Sequence, residues 1–135
     1  MGSPDFAVPS LEALHNSEHD IVAVASNPDK RRGRGGKPQP TVVKKKAMGL
    51  GYPTIDVEDP KSDEFEKKLK DLKPDLLVVV AFRILPKNIL SIPAIGSINL
   101  HASLLPKYRG AAPIHWAIIK GEEETGCSIF FLGEK

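Results

Sequence analysis

Residues 76–82 read LLVVVAF. A short run that is nearly continuous in apolar residues and rich in β-branched ones suits a strand covered on both faces, as strands of a parallel sheet are. IVAVAS at 21–26 has the same character. SINLHA at 97–102 and CSIFFL at 127–132 are further strand candidates, the latter placing Cys127 in a buried strand, and PTIDV at 53–57 is a shorter one. Helical patterns lie between them. Residues 9–15 carry Leu11 and Leu14, and residues 41–50 form a second helix. Residues 61–72 set Phe65, Leu69 and Leu72 on one stripe, with Glu64 four residues before Lys68. That helix is expected to start at Asp59, with Pro60 in its first turn. A fourth spans 113–120 and ends at Gly121. Strands alternating with helices predict an α/β fold around an open, mostly parallel sheet.

With 135 residues the chain has room for one domain with a modest core. Its 41% hydrophobic and 27% charged residues are ordinary for a folded globular protein. No apolar run approaches the ~20 residues that span a bilayer, and MGSPDFAVPS is not a signal peptide. The single Cys127 excludes an intramolecular disulfide and zinc sites built on cysteine pairs, and it fits the reducing cytoplasm. His15 and His19 have the i, i+4 spacing of some metal sites, but no third ligand is in view and no metal is expected. Sheets of this class usually open on a strand, whereas this chain opens in GSPDF, enters a helix, and stops at GEK just after a strand. A domain lacking structure at both ends is the expectation.

The net charge of +2 is unevenly spread. Between Asp29 and Asp56 there is no acidic residue, while Lys30, Arg31, Arg32, Arg34, Lys37, Lys44, Lys45 and Lys46 are all basic. These are eight of the nineteen Lys and Arg, leaving eleven against seventeen acidic residues elsewhere. The imbalance predicts a local cationic contact surface on an otherwise acidic protein.

Residues 98–113, INLHASLLPKYRGAAP, raise the question of chemistry. A strand repeats every two residues, so Asn99 and His101 project from one face and Ile98 and Leu100 from the other. In an open parallel sheet, ligands bind beyond the carboxyl ends of the strands. An amide there can donate to a developing oxyanion, and an imidazole can donate or shuttle a proton, which suits acyl transfer. A hydrogen-bonded structural pair is the competing reading, and the spacing leaves both open.

The same stretch resembles the signature of the folate-dependent formyltransferases, and within them the members that act on methionyl-tRNA. MGSPDFAVPSLEAL, NPDKRRGRGGKPQPTVVK, VVVAFRILP and GEEETGCSIFFL resemble further family segments in the expected order. The resemblance implies a Rossmann-like formyltransferase fold and formyl transfer from 10-formyltetrahydrofolate to the amino group of methionine on initiator tRNA. It assigns Asn99 and His101 to the catalytic set, as oxyanion donor and proton-transfer group. Arg83, Ile84 and Leu85 match the segment whose backbone lines the pterin pocket, although Ile84 and Leu85 also fit plain core packing. Ser103, Leu104, Leu105 and Pro106 match the loop associated with tetrahydrofolate. The family's third catalytic member, an Asp, follows the last strand and is not among the carboxylates present, so residues 1–135 alone are expected to be a poor catalyst. Residues 1–135 are expected to be part of a catalytic domain, acting as a monomer, without its first strand and without the family's C-terminal β-barrel.

The basic loop has its own alternatives. GRGGKP is not a P-loop, because Arg31 occupies the required glycine position and Pro38 follows Lys37; nor does it carry GxGxxG. A solvated loop is one reading. Beside a tRNA-modifying site, phosphate contacts are the other, with Arg34 foremost and Lys30, Arg31 and Lys37 in support. Rival functions are a formyltransferase acting on an amino sugar or a purine precursor, a non-catalytic nucleic-acid-binding α/β module, and a dinucleotide-binding domain disfavoured by the missing glycine fingerprint.

Overall fold

The strands and helices follow from these patterns with a few shifts of boundary. The computed structural model describes residues 1–31 and 33–133. In chain order the elements are α1 (Val8–His15), β1 (Val24–Ser26), β2 (Lys30–Arg31), β3 (Pro38–Gln39), α2 (Val42–Gly49), β4 (Thr54–Asp56), α3 (Asp63–Leu72), β5 (Leu76–Val80), α4 (Lys87–Leu90), β6 (Gly96–His101), α5 (Pro113–Ile119) and β7 (Ser128–Leu132). β1 pairs with β4 in parallel, and β5 with β6 in parallel, while β7 lies antiparallel to β6. Residues 1 and 2 join the two ladders. The Gly2 amide donates to Ala25 O at 3.1 Å, and the Val80 amide donates to Met1 O at 2.9 Å. A Cβ on Gly2 would lie 2.8 Å from both Ala7 Cβ and Val80 O, so no other residue fits there undisturbed. The result is the expected α/β architecture with a mostly parallel sheet.

Both faces of the sheet are covered by helices. On one, Phe65 and Leu69 of α3 and Ile89 of α4 pack against Ala25, Leu77 and Val79. On the other, Leu11 of α1 and Val43 and Ala47 of α2 pack against Val24 and Val80.

Several boundaries differ for physical reasons. β1 begins at Val24 rather than Ile21 because its neighbour across the ladder before Thr54 is Pro53, which has no amide to donate. β5 ends at Val80 because Ala81 turns into left-handed backbone at φ 47°. α3 begins at Asp63, not near Asp59, because Ser62 takes the cap: its hydroxyl accepts from the Phe65 amide. Asp59 instead accepts from the Lys61 amide in the preceding turn. Within the expected loop 27–40, β2 and β3 form an antiparallel hairpin, and α4 is an additional short helix. Cys127 is exposed and precedes β7, correcting its expected place in a buried strand.

Candidate active site

β6 delivers Asn99 and His101 to the carboxyl end of the parallel ladder. In register, Val79 faces Asn99 and Leu77 faces Ser97, so both polar side chains share the sheet face covered by α3 and α4. Each is half-buried. Among the described residues nothing hydrogen-bonds the Asn99 carboxamide, which leaves its N–H groups free to serve a ligand. His101 is fixed differently. Its Nε2 lies 2.8 Å from the carbonyl oxygen of Tyr108. A backbone carbonyl can only accept, so Nε2 carries a proton, and in the neutral form of the ring the lone pair is on Nδ1. The pair is therefore a free amide donor beside an imidazole of set tautomer, rather than two groups that satisfy each other.

The loop 102–112 that supplies this carbonyl is tightly pinned. The buried Ser103 hydroxyl donates to Lys107 O at 2.7 Å. Ser128, which faces His101 across the β6–β7 ladder, donates to Ser103 O at 2.7 Å and accepts from the Leu105 amide at 3.1 Å. Farther along, the Glu122 carboxylate accepts from the Tyr108 phenol at 2.6 Å and from Lys107 Nζ at 3.1 Å. Those bonds hold the Glu122 carboxyl below the ordinary glutamate range, the Tyr108 hydrogen bond more than the Lys107 one, and the carboxylate in turn raises the Tyr108 phenol. Ser128 and Glu122 escape a reading of the sequence. The first is a hydroxyl whose role depends on strand register, and the second is one of three consecutive glutamates.

The residues matched to the pterin segment lie in the loop after β5, next to β6 at the same carboxyl edge. Leu85 is buried in the core while Ile84 is 93% exposed, so one packs and the other reaches solvent. Among the described residues no hydrogen bond engages the backbone amides or carbonyls of Ile84 and Leu85. Free backbone donors and acceptors beside apolar side chains fit a flat heterocycle with polar edges. Arg83 plays a structural part as well: its guanidinium donates to Val57 O and, at 2.8 Å, to Glu58 O, tying this loop to the end of β4. Leu104, Leu105 and Pro106 line a cavity of about 230 Å³ together with Tyr108, Glu122 and Thr125. A wider cleft of about 580 Å³ opens at the opposite, amino end of β5 around Glu66, Lys70 and Asn88, remote from Asn99 and His101.

The hairpin of β2 and β3 leaves the carboxyl end of β1, on the same edge of the sheet. Lys30, Arg31, Arg34 and Lys37 are all exposed on it; Arg32 lies outside the described residues. The basic segment is not uniformly uncompensated, as the sequence suggested. Lys44 Nζ is 2.6 Å from Asp29 and 2.8 Å from Asp56, and Lys46 pairs with Glu12 at 2.8 Å. Its carboxylate partners, Asp29 ahead of Asp56, raise the Lys44 pKa and keep the ammonium charged. Among the described residues of this segment, the cations without an ion pair are Lys30, Arg31, Arg34 and Lys37 of the hairpin and Lys45 of α2. His15 Nδ1 lies 2.6 Å from the Tyr52 hydroxyl, and no group of three His, Cys, Asp or Glu able to hold a metal occurs among the described residues. No helix there is long and apolar enough to cross a membrane.

The chain is 54% identical over 135 residues to the methionyl-tRNA formyltransferase of Pelotomaculum thermopropionicum, covering 99% of this chain and 43% of that protein. It is 54% identical over 138 residues to that of Chlorobium limicola, covering 100% of this chain and 43% of the relative. The chain therefore spans less than half the length of these relatives. Among solved structures, phosphoribosylglycinamide formyltransferase from Anaplasma phagocytophilum superposes with a TM-score of 0.77 at 22% identity, covering 100% of this chain and 63% of that one. The protein of that name from Coxiella burnetii gives 0.70 at 28% identity, covering 99% and 64%. The first of these is a likeness of fold. A family model described as formyl transferase matches residues 1–135, from first to last, and the chain belongs to that family.

Proposed function

We propose that the protein transfers a formyl group from 10-formyltetrahydrofolate to the amino group of methionyl initiator tRNA, in the cytoplasm at the start of translation. The observation that carries this reading is the strand end of β6, where Asn99 offers an unengaged amide and His101 an imidazole with its proton held at Nε2. The folate donor supplies the formyl group and an amine leaving group. Asn99 donates to the carbonyl oxygen as negative charge grows on it, and such a donor is typically worth about 3 kcal/mol of barrier. His101 handles at Nδ1 the proton that the attacking amine sheds and the departing amine needs. Ile84 and Leu85 offer backbone groups to the pterin, and the Ser103–Pro106 loop closes beside it. The exposed hairpin cations, Arg34 first, meet tRNA phosphates. The relatives at 54% identity support the tRNA substrate over a purine precursor, because the two purine enzymes resemble this chain at only 22% and 28% identity.

The test is a formylation assay on the whole protein with Asn99→Ala and His101→Ala. Each is expected to lose at least about a hundredfold in kcat while circular dichroism and melting remain close to the parent. Near-normal turnover in either variant removes that residue from the mechanism. Equal turnover with glycinamide ribonucleotide and with methionyl-tRNA would instead overturn the choice of substrate.

A further inference from the structure

The tautomer of His101 rests on one carbonyl, and that carbonyl belongs to a residue in an unfavourable conformation. Tyr108 has φ 54°, left-handed backbone that a non-glycine residue holds only where its surroundings over-determine it. Upstream of Tyr108 the loop is anchored by the Ser103 hydroxyl on Lys107 O and by the Lys107 amide on Leu104 O. Downstream, Arg109, Gly110, Ala111 and Ala112 are exposed. The side-chain anchor on Tyr108 itself is Glu122, fourteen residues away, through the Tyr108 phenol at 2.6 Å, with Lys107 Nζ on the same carboxylate at 3.1 Å.

We propose that Glu122 is a positioning residue for His101: it holds the Tyr108 turn so that the Tyr108 carbonyl accepts from Nε2 and leaves Nδ1 free at the reacting centre. The proposal deepens the reading of His101 as the proton-transfer group and rests on it. Glu122 touches no reacting atom. Its influence passes through the Tyr108 ring, the strained backbone and one carbonyl, and a displaced carbonyl lets the imidazole exchange its proton between the two nitrogens. Tyr108 is thereby assigned two jobs, with its phenol as the anchor and its carbonyl as the tautomer lock.

The experiment labels histidine with ¹⁵N in the whole protein and reads the His101 tautomer from long-range ¹H–¹⁵N correlations, alongside formylation kinetics. The parent is expected to show His101 with its proton on Nε2. Glu122→Ala and Tyr108→Phe are expected to give a mixture of tautomers and roughly tenfold lower kcat, with KM for the folate donor within about twofold. Glu122→Gln keeps an oxygen that accepts from the phenol and is expected to restore both tautomer and rate. An unchanged His101 spectrum in Glu122→Ala overturns the proposal, as does a mixed tautomer in the parent. Should His101→Ala retain turnover, the catalytic reading of His101 falls, while the spectra still decide whether Glu122 sets its tautomer.

Discussion

Ser128 shows how one hydroxyl can organise a site without touching its chemistry. It donates to Ser103 O and accepts from the Leu105 amide, so a single side chain closes both ends of the turn that follows His101. Ser128→Ala leaves a carbonyl and an amide of a half-buried loop without their partners. The expected loss is about 1–3 kcal/mol of stability in urea denaturation, together with a raised KM for the folate donor. Unchanged stability and KM would mean that water replaces the hydroxyl at no cost. Glu122 acts at the same scale with a sign set by pH. Its carboxyl is held below the ordinary value of 4.5, so its contribution is complete at neutral pH and fades as pH falls through that depressed pKa. The loop anchor is therefore a feature of the neutral-pH protein.

Among the elements, α3 follows most directly from its sequence. Ser62 caps it, Asp63, Glu64 and Glu66 crowd the positive first turn, Lys70 sits in the last, and Lys73 ends it in left-handed backbone. Glu64 and Lys68 meet at 2.8 Å, as the i, i+4 spacing requires. Phe65 is its anchor, 4% exposed among Val57, Leu77, Val79, Leu85 and Ile89. Phe65→Ala is expected to cost about 3–5 kcal/mol in urea denaturation, since a core this small cannot close over the space left behind. A loss under about 1 kcal/mol would show that the core relaxes into the cavity. β7 teaches the opposite lesson. SIFFL reads as a strand buried on both faces, yet Ile129 and Phe131 are 66% and 64% exposed. Among the described residues its ladder contact is with β6 alone, and composition cannot tell a covered strand from one lying beyond the helices that cover its neighbours.

Across the molecule, the ends of β1, β5 and β6 bring the basic hairpin, the loop after β5 and the Asn99–His101 pair to one edge. The cations divide there into two populations. Lys44 is held between two aspartates, and Lys30, Arg31, Arg34 and Lys37 are exposed. Arg34→Ala is expected to weaken tRNA binding at physiological salt and to reduce the slope of log K against log salt by roughly 1. Lys44→Ala is expected to leave that slope unchanged. Filter binding over a salt series checks both, and a lower slope for Lys44→Ala alone would reverse the assignment.

Much of this was set by the sequence alone. The period of two put Asn99 and His101 on one face, the apolar runs gave the parallel strands, and the order of motifs gave the family, because each depends on neighbours within a few residues or on residue identity. Tertiary structure decided the rest. Seven residues separate His101 from the carbonyl that fixes its tautomer, fifteen separate Lys44 from Asp29, and fourteen separate Tyr108 from Glu122. Contacts across such distances depend on how loops close over the sheet. That closure comes from left-handed turns and strand register, which no local pattern of residue types encodes.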